Sequence, residues 1–181
     1  MGAAESEPTL ETQVIYQGRI MTVRVDKVRL PNGRVTTREI AEHADSVCVV
    51  PVDEQGNVVL VRQYRKPVEG VLLEAPAGGI NDGEAPEATV LRELQEETGF
   101  TAATVRHLSS FWLAPGWCTE RMHAYLATGL APSRLEADDD ENITVEHVPL
   151  SRIPELIASG EIQDAKSIAA LLLAMRALES S

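Results

Sequence analysis

Between Gly78 and Phe100 the chain reads GGINDGEAPEATVLRELQEETGF, and this stretch constrains the fold more tightly than any other. Its skeleton is Gly78, five residues, Glu84, seven residues, Arg92-Glu93-Leu94, one residue, Glu96-Glu97, one residue, Gly99-Phe100. The run after Gly83-Glu84-Ala85-Pro86 predicts a helix. Pro86 suits a first helical turn, where a missing N–H leaves nothing unsatisfied. Ala88, Leu91 and Leu94 recur at helical spacing and predict the buried stripe. Gly99 suits the left-handed residue that ends a helix. On that helix Glu93, Glu96 and Glu97 stand at i, i+3 and i+4 and share one face. Like charges at that spacing weaken an isolated helix, so something positive must compensate. Carboxylate oxygens are the hard ligands that Mg2+ or Mn2+ prefers. Arg92 beside them can grip a carboxylate with its planar fork. An E-x-x-E-E run alone reads more simply as a solvated acidic face. The fixed glycines, Glu84 and Arg92 turn the balance toward a metal site.

The rest of the chain sets bounds. Its 181 residues suffice for one domain with a full core and a small appendage. A hydrophobic share of 44% supports a globule, and a formal net charge of −12 argues against nucleic acid or an anionic membrane surface as partner. A phosphorylated small molecule remains acceptable where divalent ions neutralise it. Cys48 and Cys118 have no metal-like spacing. Cys48 lies in an apolar run and reads as a buried thiol, so a reducing cytoplasm is the expected compartment. No run is long and apolar enough to span a membrane. The opening MGAAESEPTLET lacks the basic and apolar regions of a signal peptide and reads as a frayed tail.

Residues 1–44 read as a β-rich lead segment, and 45–181 as the main domain. Thr12 to Tyr16 and Met21 to Leu30 predict strands. Pro31-Asn32-Gly33 before Val35-Thr36-Thr37 predicts a hairpin turn. Ser46 to Val52 and Val58 to Gln63 predict a second hairpin around Asp53–Asn57. Leu72 to Ala75 leads into the motif. Strands are expected near Val105–Trp112, Arg121–Ala127 and Ile143–Val148. Ser151 is expected to cap a short helix through Ile157. Asp164 is expected to cap a second, from Ala165 to Leu178, with Ile168, Leu171, Leu172, Met175 and Leu178 as its apolar face. The class is α/β, with a mixed central sheet.

The Gly78–Phe100 pattern resembles the signature of the Nudix hydrolases, which cleave nucleoside diphosphates linked to another group, and it departs from that signature at no specified position. The resemblance implies a Nudix α/β/α sandwich preceded by the β-rich segment. It implies metal binding through the Ala77 carbonyl, Glu93 and Glu97, with Glu96 as a further ligand or support. Glu84 supports or shares an ion, and Arg92 orients the carboxylates. Outside the motif, the order T-T-R-E-I-A-E-H, V-R-Q-Y-R, L-E-A-P-A-G-G resembles the ADP-ribose pyrophosphatase branch, as does Pro115, sixteen residues after Gly99. By that resemblance Glu141 or Asp139 in the acidic loop is the general base. Arg65, Arg38, Glu120 and Pro115 are then substrate contacts, and Trp112 and Trp117 flank the Pro115 loop. Tryptophans beside strands are more often core, Pro115-Gly116 alone reads as a turn, and a strand-end arginine such as Arg65 as readily faces solvent. His43, His107, His123 and His147 share no ligand spacing.

The chemistry so implied is Mg2+-assisted hydrolysis (Mn2+ being the alternative ion) of a nucleoside diphosphate sugar, ADP-ribose giving AMP and ribose 5-phosphate. A GDP-mannose or CDP-linked hydrolase is one rival, and a non-catalytic nucleotide-sensing module is another. The lead segment has few ways to bury both faces on so small a domain, and the resembling enzymes exchange it across a two-fold axis, so a homodimer is expected.

Overall fold

A computed structural model describes residues 6–135 and 142–180. It divides into two compact units, one of the described residues up to Ala44 with Trp112–Arg121, the other of Asp45–Phe111 with the described residues from Met122.

In the first unit β1 (Thr9–Gln17), β2 (Met21–Arg29) and β3 (Val35–His43) form an antiparallel sheet in that order. The Pro31-Asn32-Gly33 turn forms as expected. Gly33 sits at φ 82° and donates its N–H to the Leu30 carbonyl at 2.9 Å. A glycine takes that left-handed conformation without steric cost. The segment after Trp112 joins β3, with Ala41 N–H donating to Trp117 at 2.8 Å and Thr119 N–H to Ala41 at 3.0 Å. Every residue of β1 is exposed.

The second unit holds two sheets. One runs β7 (Ala77–Gly79), β4 (Ser46–Pro51), β9 (Arg121–Pro132), β8 (Phe100–Trp112), and the other runs β10 (Ile143–Pro149), β5 (Asn57–Arg65), β6 (Gly70–Glu74). β4 is antiparallel to β7 and parallel to β9, so the first sheet is mixed. The expected hairpin between β4 and β5 stops at its turn. Asp53 organises that turn by accepting N–H bonds from Gln55 and Asn57, and one bridge joins Val52 to Val58. Beyond it the strands part into different sheets. Each already has neighbours on both edges, which leaves no ladder for the other.

Helix α1 (Pro86–Glu93) passes into a single π turn, Leu94–Thr98, which ends on Gly99 at φ 77°. The expected stripe of Ala88, Leu91 and Leu94 is corrected. Ala88 is exposed, and the buried face is Thr89, Val90, Glu93, Leu94, Glu97 and Thr98. Glu93 and Glu97 therefore lie on the inward side. Val90 and Leu94 join Val47, Val49, Tyr125 and Ala127 in a core cluster. Side chains alternate across a strand, so Cys48 belongs to the other face of β4. Burial pushes its thiol up to about 12, as suits an inert buried cysteine.

Both α1 and α3 (Ala165–Glu179) pack on β4, which is buried at every position. Asp164 caps α3 as expected, accepting from Ser167 N–H at 3.0 Å. Ser151 caps nothing, because Leu150–Arg152 forms a tight 3-10 turn that runs straight into α2 (Ile153–Ala158). The buried face of α3 is Ser167, Ala170, Leu171 and Ala174, while Leu172 points outward. The fold is α/β with a mixed central sheet and N-terminal strands, as the sequence predicts.

Candidate active site

The strand β7 and the inward face of α1 enclose a polar cleft of about 330 Å3, lined by Ala77, Gly78, Gly79, Asn81, Arg92, Glu93 and Glu96. Gly78 and the Glu93 carboxylate approach closely there. A Cβ built on it would stand 1.9 Å from Glu93 Oε1, so any side chain would expel the carboxylate. Glu97 is almost fully buried, and its Oε2 accepts the Ala77 N–H at 3.1 Å. The motif loop and the helix are thus pinned to each other by the acids themselves.

Arg92 is the hub. Its Nε and Nη2 donate to the two oxygens of Glu84 at 3.1 Å each, and its Nη1 donates to Glu93 at 2.7 Å and Glu96 at 2.9 Å. Nη2 also reaches the Gly79 carbonyl at 3.1 Å. The Arg92 hydrogen bonds hold the Glu84 carboxyl down at about 2, and Glu84 in turn raises Arg92. Both oxygens of Glu84 are therefore engaged by the guanidinium, which makes Glu84 the anchor of Arg92.

Among the described residues no three acidic, histidine or cysteine side chains already converge as a cage. The reason is visible in Arg92, which draws Glu93 and Glu96 onto one nitrogen. The donor set nonetheless fits a hard divalent cation. It is all oxygen, and three carboxylates face one guanidinium. The space beside Gly78 that a Cβ would fill brings Glu93 against the backbone of the loop.

The structure gathers Ala77, Glu84, Arg92, Glu93, Glu96 and Glu97 at this one place. Asp139 and Glu141 lie outside the described residues. Arg65 is in the same unit but is turned to Glu74, donating from Nε and Nη2 at 2.9 Å each. Arg38 and Pro115 belong to the first unit. There they line a second cleft of about 290 Å3 with Arg24, Ile40 and Trp117. Arg38 donates to Glu7 at 2.8 Å, and Glu120 stands 3.8 Å from His43. Trp112 and Trp117 are exposed beside the Pro115 loop, so neither is a core tryptophan.

Sequence reasoning missed a second ionic cluster. Glu74 at the end of β6 is 1% exposed and is held by Arg65 and Lys166. Lys166 also donates to Asp164 at 2.7 Å. The cue was a lysine in the first turn of α3, one residue before a buried serine. Only its distant partners give it meaning.

Residues 42–171 match the Nudix domain, and residues 7–41 match the nucleoside diphosphate sugar hydrolase N-terminal domain. The chain is 39% identical over 167 residues to an ADP-ribose pyrophosphatase of Bacillus subtilis (strain 168), covering 91% of this chain and 90% of that protein. It is 38% identical over 173 residues to a methanol dehydrogenase activator of Bacillus methanolicus, covering 94% of each. A crystal structure of an ADP compounds hydrolase superposes with a TM-score of 0.91 at 25% identity, over 99% of this chain and 98% of that one. An unbroken motif, a cleft built from it and these likenesses along nearly the whole length agree: the chain belongs to the Nudix family.

Proposed function

We infer that the chain is a divalent-cation-dependent hydrolase of the pyrophosphate bond in a nucleoside diphosphate sugar, foremost ADP-ribose, releasing AMP and ribose 5-phosphate. The observation that carries this reading is the acid-rich cleft, with the Glu93 carboxylate lodged against Gly78. The similarity to an ADP-ribose pyrophosphatase supports the choice of substrate.

Glu93 and Glu97, with Glu96 and the Ala77 carbonyl, would hold Mg2+, or Mn2+ in its place. Such an ion, once bound, supplies charge neutralisation for the diphosphate and a lowered pKa for an attacking water. Arg92 aims Glu93 and Glu96 toward the cleft, and Glu84 keeps Arg92 in place. Glu141 or Asp139 takes the proton from the water, a role that rests on the resemblance. Arg38 and Pro115 line a cleft that would take the nucleotide, where exposed Trp117 would offer a flat face to a base.

A homodimer is part of the reading. The first unit exposes Leu10, Val14, Ile15, Tyr16, Ile20 and Val35, apolar side chains that a second copy would cover. Sedimentation showing only monomer at micromolar concentration would count against it. Two free cysteines, one deeply buried, suit residence in a reducing cytoplasm.

The test is a panel of ADP-ribose, GDP-mannose, UDP-glucose and CDP-choline with Mg2+, with and without chelator, and products separated by chromatography. Chelator-sensitive AMP and ribose 5-phosphate, well above other products, is the expected result. Preference for GDP-mannose or a CDP compound would keep the chemistry and discard the substrate. No turnover with any metal would favour a sensing module.

A further inference from the structure

We propose that Asp164, Lys166 and Ser167, at the start of α3, are positioning residues for the cation site: they fix the backbone of Ala75–Ala77 against the catalytic helix. The inference rests on the cation reading of the acidic cleft given above.

Three consecutive residues of the motif loop are each tied to a different element. Ala75 N–H donates to Ser167 Oγ of α3 at 2.8 Å. The Pro76 carbonyl accepts from Val49 N–H of β4 at 2.9 Å. Ala77 N–H donates to Glu97 Oε2 of the catalytic helix at 3.1 Å. Two of these anchors are the motif itself and the strand beside it. The third comes from a residue 92 positions later in the chain.

Ser167 is fully buried, and its hydroxyl has a defined direction. It donates to Asp164 Oδ2 at 2.6 Å, which leaves its oxygen free to accept from Ala75. Asp164 is fixed in turn by the Ser167 N–H and by Lys166. Lys166 spans Asp164 and Glu74, and Glu74 immediately precedes Ala75. Burial works against the ionised forms of Glu74 and Lys166, yet their partners outweigh it, so Glu74 is lowered and Lys166 raised. The cluster contains two acids and two bases, so it balances. Nothing in it lines the cleft, and its hydrogen-bonded link to the motif loop runs through Ser167 and the backbone of residues 74–77. Partners that orient ligands from behind typically change metal affinity or activity by about 10–100-fold when removed.

The experiment compares S167A with L171A. Leu171 is buried on the same helix and makes none of the loop hydrogen bonds, so L171A reports what a merely destabilised α3 would do. Mn2+ binding is read by electron paramagnetic resonance of the free ion, alongside thermal midpoint, kcat and KM. S167A should weaken Mn2+ binding about tenfold and lower kcat about tenfold or more, with KM for the nucleotide within about twofold. L171A should lower the midpoint at least as far and leave Mn2+ affinity unchanged. Should S167A not fold, D164N is read in the same way. An Mn2+ affinity of S167A within twofold of the parent, or an equal loss in L171A, overturns the proposal. E93Q separates the two readings: if the parent chain binds Mn2+ and E93Q binds it equally well, the cation site itself is misplaced and the proposal falls with it.

Discussion

Two of the ionic clusters in the second unit are built from the same kinds of side chain, and they differ in balance. Around Arg92 three carboxylates share one guanidinium beside an open cleft. Around Glu74 two acids meet two bases, and Glu74 is sealed from solvent. Isolated ions are costly to bury, so a closed cluster must neutralise itself. A cluster that keeps excess negative charge at a cleft is positioned to receive a cation. The difference separates a place where chemistry is done from a place that holds the backbone for it.

The sharpest way to break the comparison is to neutralise one acid in each cluster. E93Q should lose about a thousandfold in kcat, since cation stabilisation of this kind is worth several kcal/mol. Its thermal midpoint should stay level or rise, because surplus charge has been relieved. A large fall in midpoint with kcat preserved would reverse the assignment. E74Q should do the opposite in kind, leaving Arg65 and Lys166 short of their shared partner. The expected cost is about 3 kcal/mol, the low end for a broken buried pair because the Arg65 side chain is 36% exposed and can hydrate. Chemical denaturation reads it, and a change below ~1 kcal/mol would show that the closed cluster is not structural.

G78A probes the steric side of the open cluster. The added methyl falls on the Glu93 carboxylate, so activity should drop while stability changes by about 1–3 kcal/mol. Normal activity in G78A would mean that Glu93 works from another position. The smallest effect concerns acid. The Glu84 carboxyl is held at about 2 in the fold against an ordinary 4.5. Its stabilisation is therefore complete above pH 4.5 and is lost as the pH falls through 2. E84Q should flatten stability across that window, and parallel acid-unfolding curves for the two proteins would remove Glu84 from the account.

The open cluster was legible in the sequence because its members lie within twenty residues and their spacing is fixed by one helix and one loop. The α1 stripe was misread for the same reason that the site works. Glu93 and Glu97 occupy the inward positions that an ordinary amphipathic helix gives to apolar residues. The π turn at Leu94–Thr98 leaves no compositional trace, although such turns gather at functional sites. The β4–β5 pairing failed because a good turn predicts a local hairpin, whereas two strands with buried apolar runs each found neighbours on both edges. The closed cluster was invisible because Lys166 and Glu74 are joined only by the finished fold. Glu141 and Asp139 rest on the resemblance alone.

The bond from Ala75 to Ser167 also has a bearing on synthesis. A ribosome adds about 5–20 residues per second, so the 92 positions between them take about 5–18 s to make. For the last 67 of those positions, about 3–13 s, every residue of the Gly78–Phe100 motif already exists, while the hydroxyl that receives the Ala75 amide does not. The nascent chain carries its catalytic side chains long before it can carry the support behind them.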